Sequence, residues 1–120
     1  AAKIFNVDPR LIHSVIKFES SYDASAISHS NAQGLMQLMP KTAKAMGVNN
    51  TLDPEKNIYG GTKYLHKMLY LFDGNLYKAL LAYNAGPKAI KNGCLYIESK
   101  KFAKRVIREY KSLVNETNLL

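Results

Sequence analysis

The chain has 120 residues, of which 47% are apolar, and its net charge is +8. This length fits one domain with a buried core, and the apolar content excludes an intrinsically disordered chain. No apolar run approaches the roughly 18 residues that a membrane-spanning helix needs. The sequence begins without an initiator Met or a signal peptide, so we expect a mature form or an excised domain.

The positive charge is concentrated towards the C-terminus. From Lys88 to Lys111 there are eight Lys or Arg and two Glu, so this stretch carries a net charge of +6. Such a face suits an anionic polymer or surface, and a solvated helix face explains it equally well. The single Cys94 excludes an internal disulfide and a cysteine-based metal site, and the three histidines have no ligand spacing. We expect no metal and no cofactor.

Helix-start signals and apolar periodicity predict an all-α domain over residues 1–120. Its only expected extended structure is a small β-hairpin or lip before Gly34. Asp followed by Pro is a typical N-cap and first-turn pair, and it occurs twice. The predicted helix starts are Asp8-Pro9, Met39-Pro40, Asp53-Pro54, Asn75 and Ser99. Residues 87–98 predict one helical turn and a loop in which Cys94 is buried as a small apolar group.

A carboxylate lies on the apolar side of the first predicted long helix. Counted from Leu11 at about 100° per residue, Glu19 falls at about 80°, between Val15 at about 40° and Ile16 at about 140°. Burial of a carboxylate raises its pKa, and a raised pKa is what a general acid needs near neutral pH. If the helix ended before Glu19, the side chain would reach solvent and have no such role.

The GLMQ segment (Gly34-Leu35-Met36-Gln37) follows a turn-rich stretch and precedes a Pro-initiated helix. One glycine, two apolar residues and one amide could form the floor of a site for a polar, ring-shaped ligand. They could equally form a packed loop. Adjacent Gly60 and Gly61 inside the third predicted helix cost roughly 1 kcal/mol each relative to Ala. We therefore expect another backbone, or a ligand, to approach closely there.

The order and spacing of these motifs resembles the lytic transglycosylases of the soluble (SLT) type, which have a lysozyme-like catalytic domain. The resemblance runs from Asp8-Pro9 to Tyr110. Its motifs are Glu19-Ser20, Ser28, GLMQ, Asn57-Ile58 with Gly61 and Tyr64-Leu65, Ala82-Tyr83-Asn84-Ala85-Gly86-Pro87, and Tyr110. The chain departs from the family pattern at Asn31-Ala32, where Gly-Ala is usual, and it matches poorly over residues 88–98. Asn tolerates left-handed backbone angles, so we expect the turn at Asn31 to survive.

The resemblance implies cleavage of the β-1,4 bond between N-acetylmuramic acid and N-acetylglucosamine in peptidoglycan. The product would end in 1,6-anhydromuramic acid, and no water would be consumed. Glu19 would first protonate the leaving oxygen and then accept the proton of the sugar's own 6-hydroxyl. An ordinary glycosidase needs a second carboxylate. Here Asp23, Asp53 and Asp73 each look like a turn or cap residue, and an intramolecular nucleophile removes that need.

The resemblance also assigns supporting roles near Glu19. Ser28 would orient Glu19 or the substrate's acetamido group, and Tyr110 would hydrogen-bond the Glu19 carboxyl. Gln37 would bind the sugar. Tyr110 could alternatively be a core tyrosine.

Further substrate contacts are implied along the groove. Gly34 would keep its floor low and Met36 would line it, while Tyr83 and Asn84 would form its far wall. Met36 could instead be plain core, and Asn84 could be a helix-end cap. Asn57 is interpreted as structural.

The partner implied by the resemblance is the peptidoglycan glycan strand, with no role for nucleic acid. The expected location is the periplasm or cell envelope of a bacterium, and the chain is expected to be monomeric or part of a larger one. The basic C-terminal helix is a candidate contact for an anionic membrane or cell-wall surface. Two alternatives stay open: a goose-type-lysozyme-like hydrolase that uses water, and a non-catalytic peptidoglycan-binding module.

Overall fold

The computed structural model describes residues 1–119 and is almost entirely helical over that range. The helices are α1 (Ala2–Phe5), α2 (Pro9–Ser20), α3 (Pro40–Ala45), α4 (Pro54–Leu71), α5 (Leu76–Ala85), α6 (Pro87–Lys91) and α7 (Ile97–Leu119). Extended pairing consists of two isolated antiparallel bridges, Ile27 with Gln33 and Gln33 with Leu38. The predicted all-α class with a small lip is confirmed. No helix within these 119 residues has the length and apolar character needed to cross a membrane.

The chain divides into two compact units, the first spanning Ala1–Tyr64 and the second beginning at Leu65. The expectation of a single domain over residues 1–120 therefore stays a prediction. Each unit has its own set of buried apolar side chains. In the first these include Leu11, Val15, Met36, Leu38 and Met46; in the second they include Met68, Leu80, Leu81, Phe102 and Val106.

The helix starts follow the predicted capping signals. Asp8 accepts a hydrogen bond from the Arg10 backbone N–H at 2.9 Å and forms a 2.7 Å ion pair with the Arg10 guanidinium. Asn75 accepts from the Lys78 N–H at 3.0 Å, which satisfies one of the free N–H groups in the first turn of α5. The short helix α1 was not predicted from the sequence. None of its four residues is buried, so it has no apolar stripe that would indicate a helix.

Two predictions around the start of α7 are wrong. The helix begins at Ile97, so Ser99 lies inside it. Ser99 is buried and donates its hydroxyl to Asn84 Oδ1 at 2.6 Å instead of capping the helix. Cys94 is exposed, because residues 91–98 all lie at the surface. A short apolar side chain in a loop carries no periodicity from which its burial could be inferred.

The two adjacent glycines of α4 make room for core side chains. A Cβ atom at Gly60 would overlap the Val48 side chain, and one at Gly61 would overlap Met36. The close approach at these positions is therefore made by side chains of the first unit's core, and the predicted approach of another backbone or a ligand is wrong. Through the contact between Gly61 and Met36, α4 packs against the GLMQ segment.

Candidate active site

Glu19 occupies the last turn of α2, as predicted. The helix runs one residue further to Ser20, so Glu19 stays on the side that carries buried Val15 and Ile16. Glu19 is half-buried, and the loss of water around its carboxyl group raises the pKa from 4.5 to about 8. At neutral pH the group is mostly protonated, so it can donate a proton, as a general acid must.

The other carboxylates that could serve as a second catalytic group are turn and cap residues. Asp23 is exposed, and hydrogen bonds from the Ser25 hydroxyl and backbone N–H lower the pKa of its carboxyl. Asp53 accepts from the Lys56 N–H at 3.1 Å, which caps α4. Asp73 sits in a turn with φ of 55°. These placements agree with the sequence interpretation. Across residues 1–119, no group of three or more His, Cys, Asp or Glu is arranged to hold a metal ion.

A hydrogen bond from Ser20 connects the end of α2 to the GLMQ segment. Its hydroxyl donates to the Leu35 carbonyl at 2.8 Å and also lies 3.3 Å from the Ile16 carbonyl one turn back. In the sequence Ser20 is recognisable only as part of the Glu19-Ser20 motif, with no predicted role of its own. A serine in the last turn of a helix typically bonds back to its own helix. The sequence therefore held no signal for the contact with Leu35.

Replacing Ser20 with Ala is expected to lower the free energy of unfolding by about 1–2 kcal/mol, because the Leu35 carbonyl loses its donor. Since the residue before Ser20 is Glu19, we also expect kcat to fall while KM changes little. Chemical denaturation and steady-state kinetics measure the two effects. Ser112→Ala, an exposed serine on α7, is the matched control and should stay within about 0.5 kcal/mol of the parent. Equal stability of the two variants would contradict the assignment.

Asn57 holds the GLMQ segment from α4. The side chain is fully buried, and its Oδ1 accepts from the Met36 N–H at 2.8 Å. Its Nδ2 donates to the Gln33 carbonyl at 2.9 Å and to the Thr51 carbonyl at 2.8 Å. One side chain therefore pairs with the backbone on both sides of Gly34. The structural interpretation of Asn57 is correct.

Gly34 is required by this arrangement. It is buried with φ of +79°, and a Cβ atom there would overlap the Asn57 amide and the Thr51 carbonyl oxygen. The glycine thus serves the protein's own packing, whereas the sequence predicted a role for it towards the ligand. Met36 is also not a groove-lining residue, because its side chain has no exposed surface and packs against Gly61. Both residues support the segment from within.

Gln37 presents one polar atom for a ligand. Its backbone is left-handed, with φ of 52°. Nε2 donates to the Gly34 carbonyl at 2.9 Å and to the Ala26 carbonyl at 3.1 Å, which uses both of its protons. The side chain is half-buried, and its Oε1 is left to accept a hydrogen bond from a bound molecule. The Gln37 side chain is therefore expected to contact a ligand as a hydrogen-bond acceptor, through Oε1.

Ser28 is exposed on the loop before the GLMQ segment. Its Oγ accepts from the Ala32 N–H at 3.0 Å, and its own N–H donates to the Ala32 carbonyl at 2.9 Å. Asn31 closes this turn with φ of 70°, as predicted for a residue that tolerates the left-handed region. The hydroxyl proton of Ser28 is still able to serve a second acceptor. Its predicted action on Glu19 or on a substrate stays a prediction.

The second unit holds the other three predicted contacts. Tyr83 is buried near the end of α5 and stacks on Phe102, with ring centroids 6.3 Å apart and planes 18° apart. Asn84 is exposed, and its Oδ1 is held by the Ser99 hydroxyl. Tyr110 lies half-buried on α7. Tyr83 and Asn84 are thus fixed by α7, and ligand contact by any of the three stays a prediction.

The sequence of this chain is similar to those of known transglycosylases. Residues 1–106 match the family described as "Transglycosylase SLT domain". The transglycosylase of Enterobacteria phage PRD1 is 48% identical over 86 residues, which cover 72% of this chain and 32% of the relative. Membrane-bound lytic murein transglycosylase F of Cellvibrio japonicus is 44% identical over 92 residues, which cover 72% and 19%.

A solved structure agrees with these matches. An inactive mutant of the lytic transglycosylase Slt from Pseudomonas aeruginosa superimposes with a TM-score of 0.84 at 27% identity, over 95% of this chain and 23% of that one. This confirms the lysozyme-like helical fold. The chain spans less than a third of the length of each of these three proteins. Because the family match covers most of its length, the chain belongs to the transglycosylase SLT domain family.

Proposed function

We propose that this chain is the catalytic domain of a peptidoglycan lytic transglycosylase. It would cleave the β-1,4 bond between N-acetylmuramic acid and N-acetylglucosamine. The observation that carries the proposal is Glu19, a half-buried carboxyl with a pKa of about 8 at the end of α2, in a chain of the SLT family. The names of the relatives support it, since they are called transglycosylase and lytic murein transglycosylase.

The proposed reaction uses Glu19 twice. The protonated carboxyl gives its proton to the glycosidic oxygen as the bond from that oxygen to C1 of the muramic acid breaks. The 6-hydroxyl oxygen of the same sugar then forms a bond to C1, and its proton returns to the Glu19 carboxylate. The product is a 1,6-anhydro sugar, the enzyme is regenerated, and no water enters the balance. The raised pKa supports this cycle because the group starts it protonated at neutral pH.

The proposed substrate contacts are Ser28, Gln37, Tyr83, Asn84 and Tyr110. Gln37 would act through Oε1, since both of its N–H donors are used by backbone carbonyls. Tyr83 would offer a ring face and its hydroxyl to a sugar. Tyr110 would hydrogen-bond the Glu19 carboxyl. Gly34 and Met36 would not contact the substrate, because both are packed inside the protein.

We further propose that both units act as one catalytic domain over residues 1–120 and that glycan strands of peptidoglycan are the partner. The proposed location is the periplasm or envelope of a bacterium, which the names of the membrane-bound relatives support. The domain would work as a monomer or as part of a longer chain. The basic face of α7 would contact an anionic membrane or cell-wall surface.

Mass spectrometry of digested peptidoglycan tests the proposed reaction. We expect muropeptides that are lighter than hydrolytic products by one water. They should also resist reduction by borohydride, because an anhydro end is not a reducing end. A muramidase digest of the same sacculi is the matched control. Products that all carry reducing ends would favour the goose-type hydrolase. Retention on sacculi without any cleavage would favour the binding module. Either result would overturn the proposal.

A further inference from the structure

Three consecutive large apolar side chains are exposed at the end of the α6–α7 loop and the start of α7. Leu95, Tyr96 and Ile97, here named the apolar tip, are 55%, 52% and 69% exposed. Single exposed apolar residues are ordinary on a protein surface, whereas contiguous ones mark a surface that meets another apolar phase. The tip follows Gly93, whose φ of +81° turns the chain after α6. The tip thus lies at the surface, in the turn after α6 and at the first residue of α7.

The apolar tip continues directly into a basic helix face. At about 100° per residue from Ile97, Lys101 falls at about 40°, Lys104 at about −20°, Arg108 at about 20° and Lys111 at about −40°. These four residues, here named the basic stripe, are all exposed. Ile97 therefore lies in line with the stripe, which extends for about 21 Å along the helix at 1.5 Å per residue.

The opposite face of α7 is turned inward, which fixes the direction of the stripe. Phe102, Ala103 and Val106 fall at about 140° to 240° on the same wheel, and all three are buried. The two acidic residues between positions 88 and 111, Glu98 and Glu109, fall at about 100° to 120°, on the edge of the stripe. The line from the apolar tip along the stripe is therefore free of negative charge.

Two further exposed lysines precede the tip in the sequence. Lys88 and Lys91 on α6 are exposed, and Lys91 is four residues from Leu95. Lysines near apolar and aromatic side chains are typical of segments that lie in the headgroup region of a bilayer. An anionic polymer would need only the charges and would leave the three apolar side chains in water. Charge and exposed apolar surface together select a lipid surface.

We propose that the apolar tip inserts among the headgroups of an anionic lipid bilayer while the basic stripe lies along its surface. Leu95, Tyr96 and Ile97 lose contact with water, and the stripe neutralises lipid phosphates. This selects the membrane over the cell-wall polymer as the partner of α7. It does not rest on the proposed reaction, because vesicle binding is measured without glycan cleavage.

Tryptophan fluorescence tests the insertion. The chain contains no Trp, so Tyr96→Trp provides a single reporter at the tip. With vesicles of phosphatidylglycerol and phosphatidylcholine, we expect its emission to shift to the blue and to be quenched by brominated lipid. Pure phosphatidylcholine vesicles should give neither effect. Tyr70→Trp, at a tyrosine that is 79% exposed, is the matched control and should give no shift.

Charge variants test the stripe by vesicle sedimentation. Lys101→Ala and Arg108→Ala should each lower partitioning into anionic vesicles by about fivefold. Lys41→Ala and Lys44→Ala, which remove exposed lysines of α3, should change it by less than about twofold. Absence of binding to anionic vesicles would overturn the proposal. Binding that needs Lys101 and Arg108 but not Tyr96 and Ile97 would identify a general polyanion surface and would also overturn it.

Discussion

Glu19→Gln is expected to lower the turnover of peptidoglycan by at least about 10²-fold, because the amide can neither donate the proton to the leaving oxygen nor accept one later. Gln has nearly the same shape as protonated Glu, so the fold and the binding of sacculi should persist. Release of anhydro-muropeptides gives the rate, and a pull-down with intact sacculi gives the binding. Unchanged turnover would remove Glu19 from the mechanism.

The same variant should show that ionisation of the Glu19 carboxyl destabilises the folded protein. The folded pKa of about 8 lies above the unfolded value of 4.5. The folded protein therefore binds the proton more tightly, and the resulting stability is complete below about pH 4.5 and lost as pH rises through about 8. Gln does not titrate. The variant should match the parent near pH 4 and exceed it by at most about 5 kcal/mol above pH 8.

Urea unfolding at several pH values measures this difference. A stability gap that is constant with pH would show that Glu19 has an ordinary pKa in the folded protein. A gap that grows between pH 4.5 and 8 together with lost turnover would establish a trade of stability for reactivity at this position. A loss of turnover with reduced stability would instead indicate that the substitution had disturbed α2.

Gly34→Ala is expected to lower the free energy of unfolding by about 2–5 kcal/mol. The left-handed backbone, with φ of +79°, costs a residue with a Cβ atom about 1–2 kcal/mol. Overlap with the Asn57 amide and the Thr51 carbonyl adds about 1–3 kcal/mol, because a backbone oxygen cannot move aside cheaply. The GLMQ segment should shift, and turnover should fall with it. Chemical denaturation and product release measure the two effects.

Gly47→Ala separates the two causes. Its φ is +81°, and no atom lies within 4 Å of the position that its Cβ would take. It should therefore show only the backbone cost of about 1–2 kcal/mol and keep its turnover. If Gly34→Ala proved no more harmful than Gly47→Ala, the close contact with Asn57 would have no energetic weight.

The features that the sequence predicted well are those recorded by short-range patterns. The Asp8-Pro9 start needed only a capping pair, and the position of Glu19 needed only helical periodicity. The structure agrees with both. Asn31 was expected to take the left-handed region because of its residue type, and it does. In each case the deciding atoms lie within a few residues of each other.

The features that were missed or wrong depend on partners far along the chain. The contact of Ser20 with Leu35 was missed, and the structural role of Asn57 was predicted without its partners, which lie 6 to 24 residues away. Ser99 resembles a cap locally, but its hydroxyl serves Asn84, 15 residues earlier. Met36 sits in a motif that suggests ligand contact, yet the gap at Gly61 takes its side chain into the core. Periodicity contains no information about such pairs.

The pairing of Asn57 with both sides of Gly34 has a consequence for how the GLMQ segment can diversify. Gly34 and Met36 are tied to α4, so a change at either needs a compensating change at Asn57 or Gly61. Leu35 is half-buried and lies between these anchors, whereas Gln37 has a left-handed backbone and donates through Nε2 to the Gly34 and Ala26 carbonyls. A library built for altered glycan preference should therefore randomise position 35 freely and keep Gln37. It should vary 34, 36, 57 and 61 only as a covarying set.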